Sequence, residues 1–201
     1  MKINWLNKAC FKISISPKKK EKVDILVGSF DDRDRLKGKV DILLLSKAKG
    51  KIKPSRDPFL IDGPGEYEVR GVFIRGIEIQ TEEGKTATVY TIEAEELKVC
   101  SFCEIDSKEL SAEHLEKIGS IDILIIFLGQ NFSSKQIQKI IVQLEPKIIV
   151  PIETGEEKSK IKLKEFLKEM GAKETERKKQ LIFKKNELKE DGTEIIVLAN
   201  E

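Results

Sequence analysis

The chain has 201 residues, a length that suits a single domain over residues 1–201. A domain of this size buries enough apolar surface to be stable without disulfides or a structural metal. Its 37 Lys and Arg residues nearly balance its 35 Asp and Glu residues, which leaves a formal net charge of +2. Because so small a net charge gives no strong long-range field, a nucleic-acid partner is not expected, and any bound anion needs a local cluster of basic residues.

The first half of the sequence predicts a series of short strands. Runs of branched apolar residues are separated by turns rich in Lys, Gly and Asp, a pattern typical of β structure. These strands cover residues 3–6, 9–15, 23–27, 40–45, 77–81, 86–92 and 97–102. Gly63-Pro64-Gly65 is a strong turn signal, and the alternation over residues 67–73 predicts one half-exposed strand after it. The aromatic residues Trp5, Phe11 and Phe59 are expected in the core, so they offer no stacking platform for bases.

The second half predicts helices that alternate with buried strands. Ser111 begins a capping-box-like sequence for a short helix that ends at Gly119, and Gly171 ends another helix over residues 160–170. A third helix is predicted between Ser133 and Leu144 by apolar residues at helical spacing. The strands of this half cover residues 121–128, 148–150, 181–183 and 194–198. Strands first, then alternating helices and strands, indicate an α/β fold of four layers, with two sheets face to face and helices outside (αββα).

The cysteines and the apolar segments indicate a cytoplasmic protein. Cys10, Cys100 and Cys103 are an odd number without framework spacing, which favours reduced thiols. Cys100 and Cys103 lie in a strand-like stretch, so we interpret them as ordinary small residues and not as a redox pair, which usually begins a helix. The first residues hold no long apolar core, and the longest apolar runs are too short to cross a bilayer. A membrane partner is therefore not expected.

Four stretches of the sequence, residues 1–13, 57–77, 121–125 and 144–151, carry a resemblance to a known family. They resemble the metallo-β-lactamase superfamily, and within it the small zinc-dependent hydrolase branch related to ascorbate-phosphate lactonases. The resemblance covers residues 1–198. It implies an αββα sandwich of metallo-β-lactamase type and the activity of a zinc-dependent hydrolase. It also implies a metal site, which in this family follows a strand that ends in Leu-Ser.

The metal ligands of the family do not carry over to this chain. The positions that match its ligands form a candidate pocket of Lys8, Lys47, Lys49, Lys51, Ser101, Glu104 and Glu153. A hydrolytic zinc needs about three His or carboxylate ligands and an open position for water. Two carboxylates beside several ammonium groups cannot supply them, because each Lys places a unit charge where the cation would be. We therefore expect no metal and no cofactor, although Mg²⁺ or Ca²⁺ at Glu104 and Glu153 is an alternative.

The remaining histidine and the lysines have interpretations of their own. The only histidine, His114, lies in a predicted helix and is interpreted as an exposed or capping residue. The lysines are either solvated loop residues or ammonium groups that pair with Glu104 and Glu153 or bind a phosphate, with Gly50 allowing close approach of an anion. The Gly63-Pro64-Gly65 turn either supports the neighbouring sheet or shapes the mouth of the site.

These observations lead to two hypotheses of function. The first is a metal-free, catalytically inactive protein of metallo-β-lactamase fold, a binding or assembly module for a small anionic ligand or a protein partner. The second is a hydrolase that uses a non-standard metal site, or metal-independent chemistry through Glu104, Glu153 and Lys47 or Lys49. Other catalytic patterns are absent, since the sequence has no nucleophile elbow near His114 and no phosphate-binding G-x-x-x-x-G-K loop.

Overall fold

A computed structural model describes residues 1–7, 10–16, 21–28, 39–46, 58–80, 84, 86–102, 110–128, 133–153, 163–172, 176–189 and 192–200. The strands of the first half are β1 Lys2–Asn7, β2 Cys10–Ile15, β3 Val23–Gly28, β4 Ile42–Leu45, β5 Phe59–Ile61, β6 Gly65–Val69, β7 Val72–Gln80, β8 Thr86–Ala94 and β9 Leu97–Phe102. The elements of the second half are α1 Ala112–Ile118, β10 Ile123–Leu128, α2 Ser134–Leu144, β11 Ile148–Glu153, α3 Leu163–Glu169, β12 Leu181–Ile182 and β13 Glu194–Ile195. None of these helices combines the length and the apolar character that a bilayer span requires.

The strands form two mixed sheets, and the predicted α/β sandwich is confirmed. The first sheet has the order β12-β1-β2-β3-β4-β5, and the second has the order β13-β11-β10-β9-β8-β7-β6. In the first sheet β3, β4 and β5 run parallel to one another. In the second sheet β9, β10 and β11 do the same. Each sheet thus has a parallel half in which consecutive strands end at the same side.

Apolar clusters among the described residues explain why these strands lie where they do. Side chains on the inner faces of both sheets, such as Phe11, Ile25 and Ile125, form one cluster between the sheets. The outer face of the second sheet packs against helix residues such as Ile140 of α2 and Phe166 of α3. A smaller cluster, which includes Leu26 and Leu43, lies on the outer face of the first sheet. Burial on both faces accounts for the near-continuous apolar run of β10, which alternation alone does not predict.

Contacts between the sheets show that their parallel strands end at one common edge. At the start of β4, Asp41 accepts a hydrogen bond from Arg70, which lies in the turn between β6 and β7. At the end of β4, the Ser46 carbonyl accepts one from the Thr88 backbone at 3.2 Å. We call the edge where β3, β4, β5, β9, β10 and β11 end the carboxyl edge, and the opposite one the amino edge.

Two details of the sequence prediction were wrong. Residues 67–73 are not one strand, because Arg70 and Gly71 have positive φ angles of 53° and 79° and form a tight hairpin turn between β6 and β7. Two consecutive positive φ angles are the mark of a type I′ turn, whose twist matches that of the flanking strands. Phe59 is not a core residue but is 50% exposed, since β5 is the last strand of the first sheet.

Candidate functional site at the carboxyl edge

Tyr90 fastens the two sheets together at the carboxyl edge. It lies in β8 with its side chain on the inner face, and its hydroxyl donates to the Leu45 carbonyl at 2.8 Å, with the Ile61 carbonyl at 3.3 Å. Burial raises the pKa of Tyr90, so the hydroxyl stays protonated and keeps donating. Tyr90 therefore holds the ends of β4 and β5 in place and is not available as a base.

The Gly63-Pro64-Gly65 turn connects the two sheets beside Tyr90. A Cβ on Gly76 of β7 would lie 2.6 Å from the Gly63 carbonyl oxygen, so only glycine at position 76 lets the turn pack this closely. The same Cβ would lie 3.1 Å from Cγ2 of Thr88, a buried residue of the carboxyl edge. The turn thus supports the second sheet and also lies at this edge, as both interpretations of it require.

Two buried serines lie on the inner faces of the sheets at this edge. Ser46 follows β4, and strand alternation places it on the same inner face as Ile42 and Leu44. Ser101 stands opposite Tyr90 in the ladder between β8 and β9, on the inner face that Val99 also occupies. Their exposed fractions are 3% and 1%, and neither Oγ has a hydrogen-bond partner among the described residues. Ser101 was a predicted site residue, whereas Ser46 was not.

Glu153, the other predicted site residue that the structure describes, lies on the opposite face of the second sheet. It ends β11, and alternation places it with Ile149 on the side of the helices, whereas Val150 and Ile152 face the first sheet. Its carboxylate accepts a hydrogen bond from the Leu163 backbone at 3.3 Å and lies 3.6 Å from Arg177. The structure therefore does not bring Glu153 and Ser101 together. No sequence pattern pointed to Arg177.

The other predicted site residues lie outside the described residues. They are Lys8, Lys47, Lys49, Lys51 and Glu104. The described strands that precede Lys8, Lys47 and Glu104 are β1, β4 and β9, and all three end at the carboxyl edge. Lys47 follows Ser46 directly, and Glu104 comes two residues after the end of β9. Their assignment to the site stays a prediction.

His114 is a capping residue, as predicted. The Ser111 backbone donates to its Nδ1 at 3.3 Å, and the His114 backbone donates to the Ser111 hydroxyl at 3.2 Å. Together these two bonds form the capping box at the start of α1. The helix packs through Ile118 on the outer face of the second sheet, so the sheet itself separates α1 from the two serines.

A groove of about 1160 Å³ lies on this outer side, between α1 and the β6–β7 hairpin. Arg75 joins its walls, because its guanidinium contacts Glu66 at 2.8 Å and donates to the Lys117 carbonyl at 2.8 Å. The Phe73 ring lies 5.9 Å from the same guanidinium. These contacts give Arg75 a structural role in holding α1 against the hairpin.

Cys100 also belongs to the outer side, where it packs in the core beneath the helices. Complete burial raises the pKa of its thiol, which opposes formation of the reactive thiolate. This agrees with the interpretation of Cys100 as a small core residue, whereas Cys103 lies outside the described residues.

Comparison with known proteins identifies the family. Residues 2–153 match the model of the beta-lactamase superfamily domain. The chain belongs to the metallo-β-lactamase superfamily. No curated protein matches the sequence significantly.

Solved structures agree with this membership. A protein from Thermotoga maritima, proposed to be a Zn-dependent hydrolase of the superfamily, is 25% identical with a TM-score of 0.72, and the match covers 98% of this chain and 97% of that one. The metallo hydrolase Igni18 from Ignicoccus hospitalis is 14% identical with a TM-score of 0.61 over 91% and 99% of the two chains. The metallo-β-lactamase fold protein YhfI from Bacillus subtilis is 8% identical with a TM-score of 0.61 over 98% and 95%.

The side chains that the structure describes do not form the metal site that the superfamily implies. In the described part of the molecule, no three His, Cys, Asp or Glu side chains are grouped so that they could hold a metal ion. The carboxyl edge presents the hydroxyls of Ser46 and Ser101, which are neutral and poor ligands for zinc. The only imidazole of the whole sequence belongs to His114 and is held in a helix cap. No step of a metal-dependent reaction is therefore assigned to this chain.

Proposed function

We propose that this chain is a metal-independent, catalytically inactive member of the metallo-β-lactamase superfamily that binds a small anionic ligand at the carboxyl edge. The observation that carries the proposal is the position of His114. Because the single histidine caps α1 on the outer side of the second sheet, no imidazole remains for a metal at the edge. A zinc hydrolase has no substitute for those ligands among neutral hydroxyls.

The charge around the edge favours an anion over a cation. Lys47 follows Ser46 directly, and Lys49 and Lys51 lie within the next four residues. Glu153, the one described carboxylate among the candidate residues, faces away from the inner side and lies near Arg177. We expect an oxyanion such as phosphate, because the sequence after Ser46 is rich in lysine and the described inner faces at this edge carry hydroxyl groups.

Thermal unfolding in the presence of inorganic phosphate tests this proposal. A ligand at 100 times its dissociation constant stabilises the folded protein by about 2.7 kcal/mol, so the melting temperature should rise. The variant Lys47→Ala/Lys49→Ala/Lys51→Ala should lose this rise. Its control is Lys135→Ala/Lys164→Ala/Lys168→Ala, which removes the same charge from exposed positions of α2 and α3 and should keep the rise. Equal responses of the two triple variants would contradict the proposal.

A hydrolase with a non-standard metal site is the second candidate. It is favoured by the similarity over nearly the full length to the Thermotoga maritima protein. Under this candidate function, the chain would be a member of the small zinc-dependent hydrolase branch. Glu104 and Glu153 are the carboxylates available to it, and Glu153 would have to leave the Leu163 backbone and Arg177. Hydrolysis of a phosphodiester that needs added zinc or manganese, and that Glu153→Gln abolishes, would support this candidate over the first.

A further inference from the structure

We propose that Ser46 and Ser101 are the hydrogen-bond donors of the carboxyl-edge site, and that one tetrahedral oxyanion accepts a bond from both hydroxyls. The ligand class is a phosphoryl group, either inorganic phosphate or a phosphate monoester. The inference rests on the proposed function and names the contacts that would hold its ligand. It concerns described residues, whereas the lysines of the proposed function lie outside them.

Neither the Ser46 nor the Ser101 hydroxyl has a hydrogen-bond partner within the described ranges. Buried side-chain oxygens are nearly always hydrogen-bonded, because an unpaired one has lost its water and gained nothing. Ser14 follows that rule, since its hydroxyl donates to Asp24 at 2.5 Å at the amino edge. Among the described residues, neither Ser46 nor Ser101, with exposed fractions of 3% and 1%, has a hydrogen-bond partner for its Oγ. A ligand bound at this edge would account for both unpaired hydroxyls.

Ser46 and Ser101 belong to different sheets, but both lie beside the Thr88–Tyr90 segment. The Ser46 carbonyl bonds the Thr88 backbone at 3.2 Å, and the preceding carbonyl, of Leu45, bonds the Tyr90 hydroxyl at 2.8 Å. Ser101 stands directly opposite Tyr90 in the neighbouring ladder. Both hydroxyls therefore lie on inner faces beside the Thr88–Tyr90 segment, where a small ligand between the sheets could reach each of them.

The chemistry of the two hydroxyls suits a phosphoryl group. A serine hydroxyl can donate to an anionic oxygen without adding charge, and a phosphoryl group has several such oxygens at tetrahedral angles. The two serines would fix the orientation of the phosphoryl group.

Calorimetric titration with inorganic phosphate and with phenyl phosphate tests the inference. We compare the unaltered protein with Ser46→Ala and Ser101→Ala, and each variant should bind at least about tenfold more weakly, as expected for a lost hydrogen bond to a charged group. The ligand that binds the unaltered protein more tightly tells whether a free phosphate or a monoester is preferred. Without ligand, the melting temperatures of both variants should equal or exceed that of the unaltered protein, because no hydrogen bond is removed.

The matched control is Ser14→Ala. It removes a hydroxyl that has a partner, so the melting temperature of the ligand-free protein should fall while the dissociation constant for phosphate stays the same. Dissociation constants of Ser46→Ala and Ser101→Ala within twofold of the unaltered protein would overturn the inference and leave the proposed function standing. If the unaltered protein binds neither ligand, the proposed anion site fails, and the serine contacts fail with it.

Discussion

The two edges of the sandwich use their buried polar groups differently. At the amino edge Asp41 accepts hydrogen bonds from the Asp24 backbone at 3.0 Å and from Arg70 at 2.7 Å. Asp122 likewise accepts from the Lys98 backbone at 2.9 Å and from Lys185 at 2.6 Å. At the carboxyl edge, Ser46 and Ser101 are also buried, but their hydroxyls have no partner among the residues that the structure describes.

This difference separates structural polar groups from candidate functional ones. Asp41 and Asp122 of the amino edge fasten turns and strands to one another, so both carboxylates are already satisfied within the protein. At the carboxyl edge the Tyr90 hydroxyl joins the two sheets, whereas the hydroxyls of Ser46 and Ser101 have no partner in the described part of the chain. A binding site is therefore better sought at the carboxyl edge than among the paired charges of the amino edge.

Removal of the Asp41 carboxylate should have the largest effect on stability. The variant Asp41→Ala leaves the Asp24 backbone N–H without its acceptor and Arg70 without its ion pair. We expect a loss of about 3 kcal/mol in the free energy of unfolding, because a hydrogen bond to a charged group is lost and the Asp24 backbone N–H loses its acceptor, whereas Arg70, 52% exposed, is solvated. Urea unfolding measures it.

The control for this prediction is Glu113→Ala. Its carboxylate contacts Lys117 at 2.6 Å, but the pair lies on the exposed face of α1, and its loss should leave the urea midpoint nearly unchanged. If the two variants unfold at the same urea concentration, the Asp41 contacts of the amino edge do not stabilise the fold, and the comparison between the edges fails.

A methyl group on Gly76 should have a smaller effect, at the carboxyl edge. The variant Gly76→Ala places a Cβ 2.6 Å from the Gly63 carbonyl and should lower the free energy of unfolding by about 2 kcal/mol, as overpacking does. Gly63→Ala is the matched control, since nothing lies within 4 Å of its added Cβ. Equal stabilities of the two variants, measured by urea unfolding, would show that the turn does not depend on close packing against β7.

Much of the fold could be predicted because local signals agree with it. Runs of branched apolar residues predicted β3 and β10, and Ser111 and Gly119 predicted the two ends of α1. The hairpin at Arg70 was missed because Gly71 fits the alternation of a strand, and only the φ angles reveal the turn. Nothing in the sequence identified β5 as the last strand of its sheet, which is why Phe59 was assigned to the core.

The candidate site was predicted less well, for a physical reason. Positions taken from the family pattern give places along the chain but not the sheet face on which a side chain lies. Ser101 and Glu153 were grouped on that basis, and strand alternation places them on opposite faces. Ser46 was missed because a missing hydrogen-bond partner is a property of the packed structure that no sequence pattern displays.

Zinc binding by protein first treated with a chelator tests the central claim most directly. Calorimetric titration, with the metal content then measured by mass spectrometry, should give no stoichiometric binding, since the described residues hold no group of zinc ligands at the carboxyl edge. The His114→Ala variant shows whether any weak binding comes from the single imidazole, and its result should not differ. Stoichiometric zinc held with micromolar or tighter affinity, equally in both proteins, would contradict the account and favour a hydrolase.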